Sequence, residues 1–163
     1  MTFPMPNPSN GYQGLPSSEN REQQNRFYGD DIYFDIAAPD VELGQADYVV
    51  DATGDWQTVN GPEALRQSLT RRLITNPGEW QTKPEYGCGA RQYVKAKNTP
   101  TERAELEARI RSNFLRDPRV ERVDTVTITP LDDGSAGVKI EVYVTPRGRL
   151  RADKSLPVRI EIR

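Results

Sequence analysis

Glu79 and Glu85 stand close in sequence with Trp80 and Tyr86, and these four side chains are the ones whose types could do chemistry together. Two carboxylates can flank a glycosidic bond, one as acid and one as base or nucleophile, and sugar sites use aromatic rings. The remaining composition narrows the options. The chain holds no histidine, and Cys88 is its one cysteine. A disulfide, a Cys/His zinc site, a Ser-His-Asp triad and a Cys-His dyad are excluded within one chain, so catalysis would rest on carboxylates, Tyr, Ser, Thr or Lys. No cofactor or metal is expected. Cys88, between Gly87 and Gly89, reads as a small loop residue. Carboxylates on loops are common, and nothing here requires a raised pKa. Glu79, Trp80, Glu85 and Tyr86 therefore fit a protein interface, where aromatics are enriched, and Trp80 and Tyr86 fit equally a cover for the end of a core.

A second pattern is Asp117-Pro118-Arg119. Arg offers a rigid five-donor fork suited to carboxylates or to carbonyls at helix C-termini, and proline fixes the backbone that presents it. The plainer alternative is that Pro118 stops a helix and Arg119 is solvated.

Elements must position these residues. Leu65, Leu69 and Leu73 recur at helical spacing, so a helix is expected over residues 61–74, with Asn60 as N-cap, Pro62 in the first turn and Glu63 at N3. Asn76-Pro77-Gly78 ends it, and Pro84-Glu85-Tyr86-Gly87 forms a second loop element. Gly78 and Gly87 read as turn glycines with positive φ. Thr99-Pro100-Thr101-Glu102 spells a capping box, and Leu106, Ile110 and Phe114 mark the apolar stripe of a second helix that Pro118 ends. Glu105 and Arg109 are spaced for an ion pair.

Strands should complete the core. Val123, Val126 and Ile128 mark one. Val138, Ile140, Val142 and Val144 alternate with polar residues in a second, and Leu156, Val158, Ile160 and Ile162 do so in a third. The expected fold class is α+β: two amphipathic helices packed on an antiparallel β-meander, with an extended N-terminal arm. The last strand is expected at a sheet edge, where free N–H and C=O groups can accept another strand. Segments 32–36 and 48–50 read as short extended pieces along the domain edge.

Residues 1–29, with Pro4, Pro6, Pro8 and Pro16 and few aliphatics, form the arm. It is expected to be disordered when alone, with an ordered role on a partner as the open alternative. Residues 30–163 form the domain. Residues 1–60 hold two Arg against ten Asp or Glu, whereas residues 61–163 hold 20 Lys or Arg against 14 Asp or Glu. The acidic third can lie against its own basic domain or a basic neighbour. No stacking pattern or motif for nucleic acid accompanies the basic excess. No run is long enough for a membrane helix, and no secretory signal is evident. A soluble chain made in a cytoplasm is expected.

The Leu65-Leu69-Leu73 helix, Thr75-Asn76-Pro77-Gly78-Glu79, Pro84-Glu85-Tyr86-Gly87 and Asp117-Pro118-Arg119 together resemble the baseplate wedge family of contractile phage tails. This family is also called the baseplate protein W or lysozyme-like family and recurs in type VI secretion baseplates. The resemblance covers roughly residues 47–163. Where the family usually has Glu-Pro-Arg, this chain has Asp117, which keeps the carboxylate and shortens its reach. The resemblance implies a non-enzymatic structural protein of the virion tail baseplate, assembled in the host cytoplasm, that links the wedge to the sheath and nucleates sheath assembly. By the same match, Asp117, Pro118 and Arg119 would grip the helical core bundle of the larger wedge proteins, with Arg119 as anchor and Asp117 as its pairing partner. Likeness to the sheath's strand-exchange region would make Val138, Ile140, Val142, Val158, Ile160 and Ile162 the strand-pairing surface for the tail sheath protein. Six copies per baseplate follow from tail symmetry, with tube or hub proteins as further neighbours and neither nucleic acid nor membrane as partner. The lysozyme-like label keeps a carboxylate-based peptidoglycan hydrolase as the alternative, beside an adaptor outside any tail.

Overall fold

In the computed structural model, residues 27–35, 47–94, 99–131, 137–147 and 155–162 are described. In chain order the elements are β1 (Asp30–Ile32), β2 (Phe34–Asp35), β3 (Asp47–Tyr48), β4 (Thr58–Asn60), α1 (Gly61–Ile74), α2 (Ala90–Val94), α3 (Pro100–Leu115), β5 (Val120–Pro130), β6 (Val138–Pro146) and β7 (Leu156–Ile162).

Period-two alternation builds the main sheet, antiparallel in the order β5-β6-β7. Val138, Ile140, Val142 and Val144 all face the core at 0 % exposure. In register they meet Ile162, Ile160, Val158 and Leu156 of β7, all buried. Each such side chain contributes roughly 1.5–3 kcal/mol on burial, so this face outweighs any surface ion pair, worth about 0–1 kcal/mol. The opposite face is polar, with Arg159 and Lys139 both paired to Glu141 and the Arg159 guanidinium donating to the Tyr143 hydroxyl.

β5 breaks the strict alternation. Val120, Val123 and Val126 are all buried although they lie three residues apart. Register shifts between Val120 and Arg122 and between Val123 and Thr125 explain this. A bulge inserts an extra residue and restores the next side chain to the same face.

The two long helices cover the apolar face, α1 against β7 and α3 against β5. Leu65, Leu69 and Leu73 of α1 and Leu106, Ile110 and Phe114 of α3 are buried as their spacing predicts. The fold is α+β as expected. The capping box at Thr99 forms in full, with Oγ1 accepting from the Glu102 N–H and the Glu102 carboxylate accepting from the Thr99 N–H. Asn60 is the N-cap of α1 and Glu63 lies in its first turn as expected, although the Asn60 side chain makes no capping hydrogen bond and Glu63 pairs with Arg66. One local expectation fails. Arg109 does not pair with Glu105; it turns inward to the Cys88 carbonyl, 3.4 Å away, and the pair that forms on α3 is Glu107–Arg111. The five-residue α2 was not anticipated, being too short to show a period.

Ahead of α1, β1 pairs with β4 and β2 with β3. This layer lies on the outside of α1: the Gln67 amide donates to the Ile32 carbonyl at 2.7 Å, and Arg71 pairs with Asp31. At this point the acidic third lies on its own basic domain. Most of the predicted arm falls outside the described residues. Tyr28, placed by sequence in that arm, is instead part of the core, and its hydroxyl donates to the Arg147 carbonyl at 2.9 Å.

Candidate functional site

A helix leaves its last carbonyls without intrahelical partners, and in α1 the following loop supplies them. The Cys88 N–H donates to the Arg72 carbonyl and the Gly89 N–H to the Thr75 carbonyl, each at 2.9 Å. Gly78 closes the loop through its N–H to the Pro84 carbonyl (2.8 Å). Gly87 has to be glycine here: φ is +108°, and a Cβ would lie 2.4 Å from the Thr75 carbonyl oxygen. Cys88 is sealed beneath this turn, and burial pushes its thiol up to about 12, against the pull of Arg72 and Arg109. No thiolate is available to react at neutral pH.

Closing the loop brings Trp80 onto Tyr86, with ring centroids 4.8 Å apart and planes 24° from parallel. Tyr86 in turn lies under the Arg72 guanidinium, 4.7 Å from its ring centroid. Trp80 stays half exposed, with the Lys83 ammonium 6.0 Å from its ring.

Arg72 is the residue that sequence reasoning missed. It leaves α1 off the leucine stripe, yet its side chain is only 12 % exposed. Its Nη1 donates to the Asn113 carbonyl near the end of α3 (2.8 Å), and its Nη2 reaches Asp117 Oδ2 at 3.4 Å. One guanidinium thus caps one helix from another and joins the Trp80–Tyr86 stack to the Asp117 turn.

Asp117 is 2 % exposed. Its Oδ1 accepts from the Arg119 backbone N–H (3.0 Å) and Nε (2.9 Å), and its Oδ2 from Arg119 Nη2 (2.8 Å). Burial pushes this carboxyl up, but the hydrogen bonds from Arg119 and the charges of Arg119 and Arg72 outweigh it and hold the group below its ordinary value. The bond to Asp117, opposed by burial, raises Arg119 above an ordinary arginine. Arg119 also donates from Nη2 to Ser68 Oγ on α1 (2.9 Å) and from Nη1 to the Tyr28 carbonyl (3.0 Å). Pro118 between them is exposed. Arg72 Nε, Asn76 Oδ1 and Asn113 Oδ1 are buried at this junction with no hydrogen-bond partner among the described residues.

This junction lies inside a recognisable region of sequence. Residues 40–146, which contain α1, the loop, α3, the Asp117 turn and β5–β6, match the contractile injection system sheath initiator. The chain belongs to that family. The sheath initiator domain is similar to a chain of the six-fold symmetrised cryo-EM baseplate of the anti-feeding prophage, at 26 % identity and a TM-score of 0.51, over 60 % of this chain and 78 % of that one. It is similar also to the crystal structure of a putative tail lysozyme from Geobacter sulfurreducens, at 19 % identity and a TM-score of 0.51, over 71 % and 95 % of the two chains. That second likeness is one of fold alone. No curated protein matches the sequence significantly.

In this chain the two predicted groups lie together. Arg72 links Tyr86 to Asp117, and Arg116 links the loop to the end of α3 through Glu85, at 2.8 Å. The carboxylates considered for hydrolysis are both open to solvent and differently engaged. Glu79 accepts the Asn76 N–H at 2.8 Å, and the Glu85 side chain, 80 % exposed, pairs with Arg116. The strand-pairing set needs correction at Val138, Ile140 and Val142. They lie on the central strand, whose hydrogen-bonding groups are taken by β5 on one side and β7 on the other, so β6 has no edge to offer. Val158, Ile160 and Ile162 belong to β7, whose pairing among the described strands is with β6 alone. Pro157 inside β7 suits an edge position.

Proposed function

We propose that this sheath initiator is a structural, non-catalytic part of the tail baseplate that joins the wedge to the sheath and starts sheath assembly. The carrying observation is the family match over residues 40–146, which takes in Arg72, Asp117 and Arg119. Partners are the larger wedge proteins and the tail sheath protein, with tube or hub proteins adjacent and six copies per baseplate. Such a part is assembled in the host cytoplasm and carried in the tail.

In this reading the wedge contact centres on Asp117, Pro118 and Arg119, with Glu79, Trp80, Glu85 and Tyr86 as its rim. Four of the five guanidinium N–H groups of Arg119 bond within the chain. Its role is therefore to rigidify the turn that presents Pro118, and the direct contacts fall to exposed neighbours: Pro118, Leu115 and Trp80. Preorganisation of this kind lowers the ordering cost of binding. The open edge of β7 is the proposed seat for a sheath strand, by β-augmentation.

The test is co-expression of tagged chain with the neighbouring wedge and sheath proteins, comparing wild type with Trp80→Ala and Leu115→Ser. Wedge capture by wild type, lost in variants that melt as wild type does, is the expected result. Capture of neither partner by wild type would overturn the proposal. Release of sugars from purified peptidoglycan, abolished by Glu79→Gln or Glu85→Gln, would replace it with the hydrolase reading.

A further inference from the structure

The layer ahead of α1 has two unlike faces. Residues 56–60 run between 30–33 on one side and 49–50 on the other, shown by the pairs Asp30↔Asn60, Asp31↔Val59, Ile32↔Thr58 and Val50↔Trp56 and by the bonds from the Tyr33 N–H to the Gln57 carbonyl and the Gln57 N–H to the Val49 carbonyl. Opposed residues share a face, as do residues two apart along a strand. Val50, Trp56, Thr58 and Ile32 therefore fall on one face, and Asp31, Tyr33, Val59, Gln57 and Val49 on the other. The second set is half-buried toward α1. The first is open: Val50 is 52 %, Trp56 52 % and Ile32 41 % exposed.

Charge says what would cover this strip. No Lys or Arg occurs between Phe27 and Leu65. Asp30 lies at one end of the strip, and Asp51 and Asp55 at the other. The last two are fixed by their own turn: the Asp51 carboxylate accepts from the Thr53 N–H and hydroxyl and the Asp55 N–H, and the Asp55 carboxylate accepts from the Trp56 N–H. Such a rim repels nucleic acid and anionic lipid and favours cationic protein. A ribbon of this size is also marginal by itself, and a third layer across it would stabilise it.

We propose that Val50, Trp56 and Ile32, rimmed by Asp30, Asp51 and Asp55, form a docking face for a basic protein segment that sets apolar side chains between Lys or Arg residues. The face shares no residue with the Asp117 junction or with β7, so a tail subunit bound there would make a contact additional to those two. The inference does not depend on the wedge assignment.

The test uses the full chain and labelled peptides read by fluorescence anisotropy: one alternating Lys and Leu, one Lys and Ser, one Glu and Leu. The Lys/Leu peptide is expected to bind at least tenfold more tightly than either other, and to weaken as salt rises. Trp56→Ser should weaken it at least tenfold, and Asp30→Asn with Asp55→Asn should reduce its salt dependence. Trp80→Ala should leave it unchanged, which separates this face from the junction. Equal binding to the Trp56→Ser chain, or equal binding of the Lys/Ser peptide, would overturn the proposal. So would Trp56-dependent self-association in sedimentation experiments, which would make a second copy the occupant.

Discussion

Charge is handled in opposite ways at the Asp117 junction and on the Trp56 face. At the junction a nearly inaccessible carboxylate is surrounded by two guanidiniums and a backbone N–H, and their donors also reach Asn113, Ser68 and Tyr28. On the Trp56 face Asp30, Asp51 and Asp55 stand at the surface, and the stretch that holds them carries no cation of its own. Buried charge costs so much to desolvate that it must be answered inside the chain, and the answer fixes geometry. Exposed charge carries no such obligation and remains available to a partner. The same residue type, aspartate, thus serves specification in one place and attraction in the other.

The strongest way to break the contrast is Asp117→Ala. Two guanidiniums would lose their shared acceptor in a largely buried place, and the expected loss is about 3–5 kcal/mol, the usual scale for breaking a buried pair from one side. Urea unfolding would check it. A loss under about 1 kcal/mol, the range of exposed pairs, would place Asp117 with the surface aspartates. Gly87→Ala comes next. The positive φ alone disfavours alanine by more than about 1 kcal/mol, and the approach to the Thr75 carbonyl adds to that. Because the loop carries Trp80 and Tyr86, the stack should loosen with it, visible in the near-ultraviolet circular dichroism.

A pH series sharpens the comparison further. Asp117 titrates below its ordinary 3.8 in the folded chain. Its stabilisation is therefore fully present above that value and is lost as pH falls through the lower native one. Wild type should exceed Asp117→Asn in stability at neutral pH, and the gap should close on acidification below about pH 4. A gap that persists undiminished at pH 2 would assign the effect to packing instead.

How far this was legible in sequence differs between the same two regions. Helix stripes, the capping box and the alternation of β6 and β7 are local patterns, and they located α1, α3 and the sheet. Asp117-Pro118-Arg119 and Glu79, Trp80, Glu85 and Tyr86 were visible as groups, but not as neighbours. Their connector, Arg72, looks from sequence like any exposed arginine, since nothing local says that the end of α3 will pack across it. Tyr28 was missed for a like reason: its partner Arg147 is distant in the chain. The bulges of β5 hid behind a spacing of three, and the central place of β6 depends on chain order in the sheet. The outer strip of Val50, Trp56 and Ile32 emerges only from register, because no two of its members are neighbours in sequence.

The smallest expected effect completes the comparison. Trp56→Ser removes a large side chain that is about half exposed in the folded chain, so only part of its apolar area is lost from burial. The substitution should lower folding stability by about 1 kcal/mol, a middling value for a point substitution. Thermal unfolding beside the peptide titration separates the two roles. Loss of binding with only this small loss of stability marks a face that serves a partner. A drop of 2 kcal/mol or more would instead make Trp56 a packing residue of the ribbon, and the acidic layer would then resemble the junction: chemistry turned inward to hold the fold.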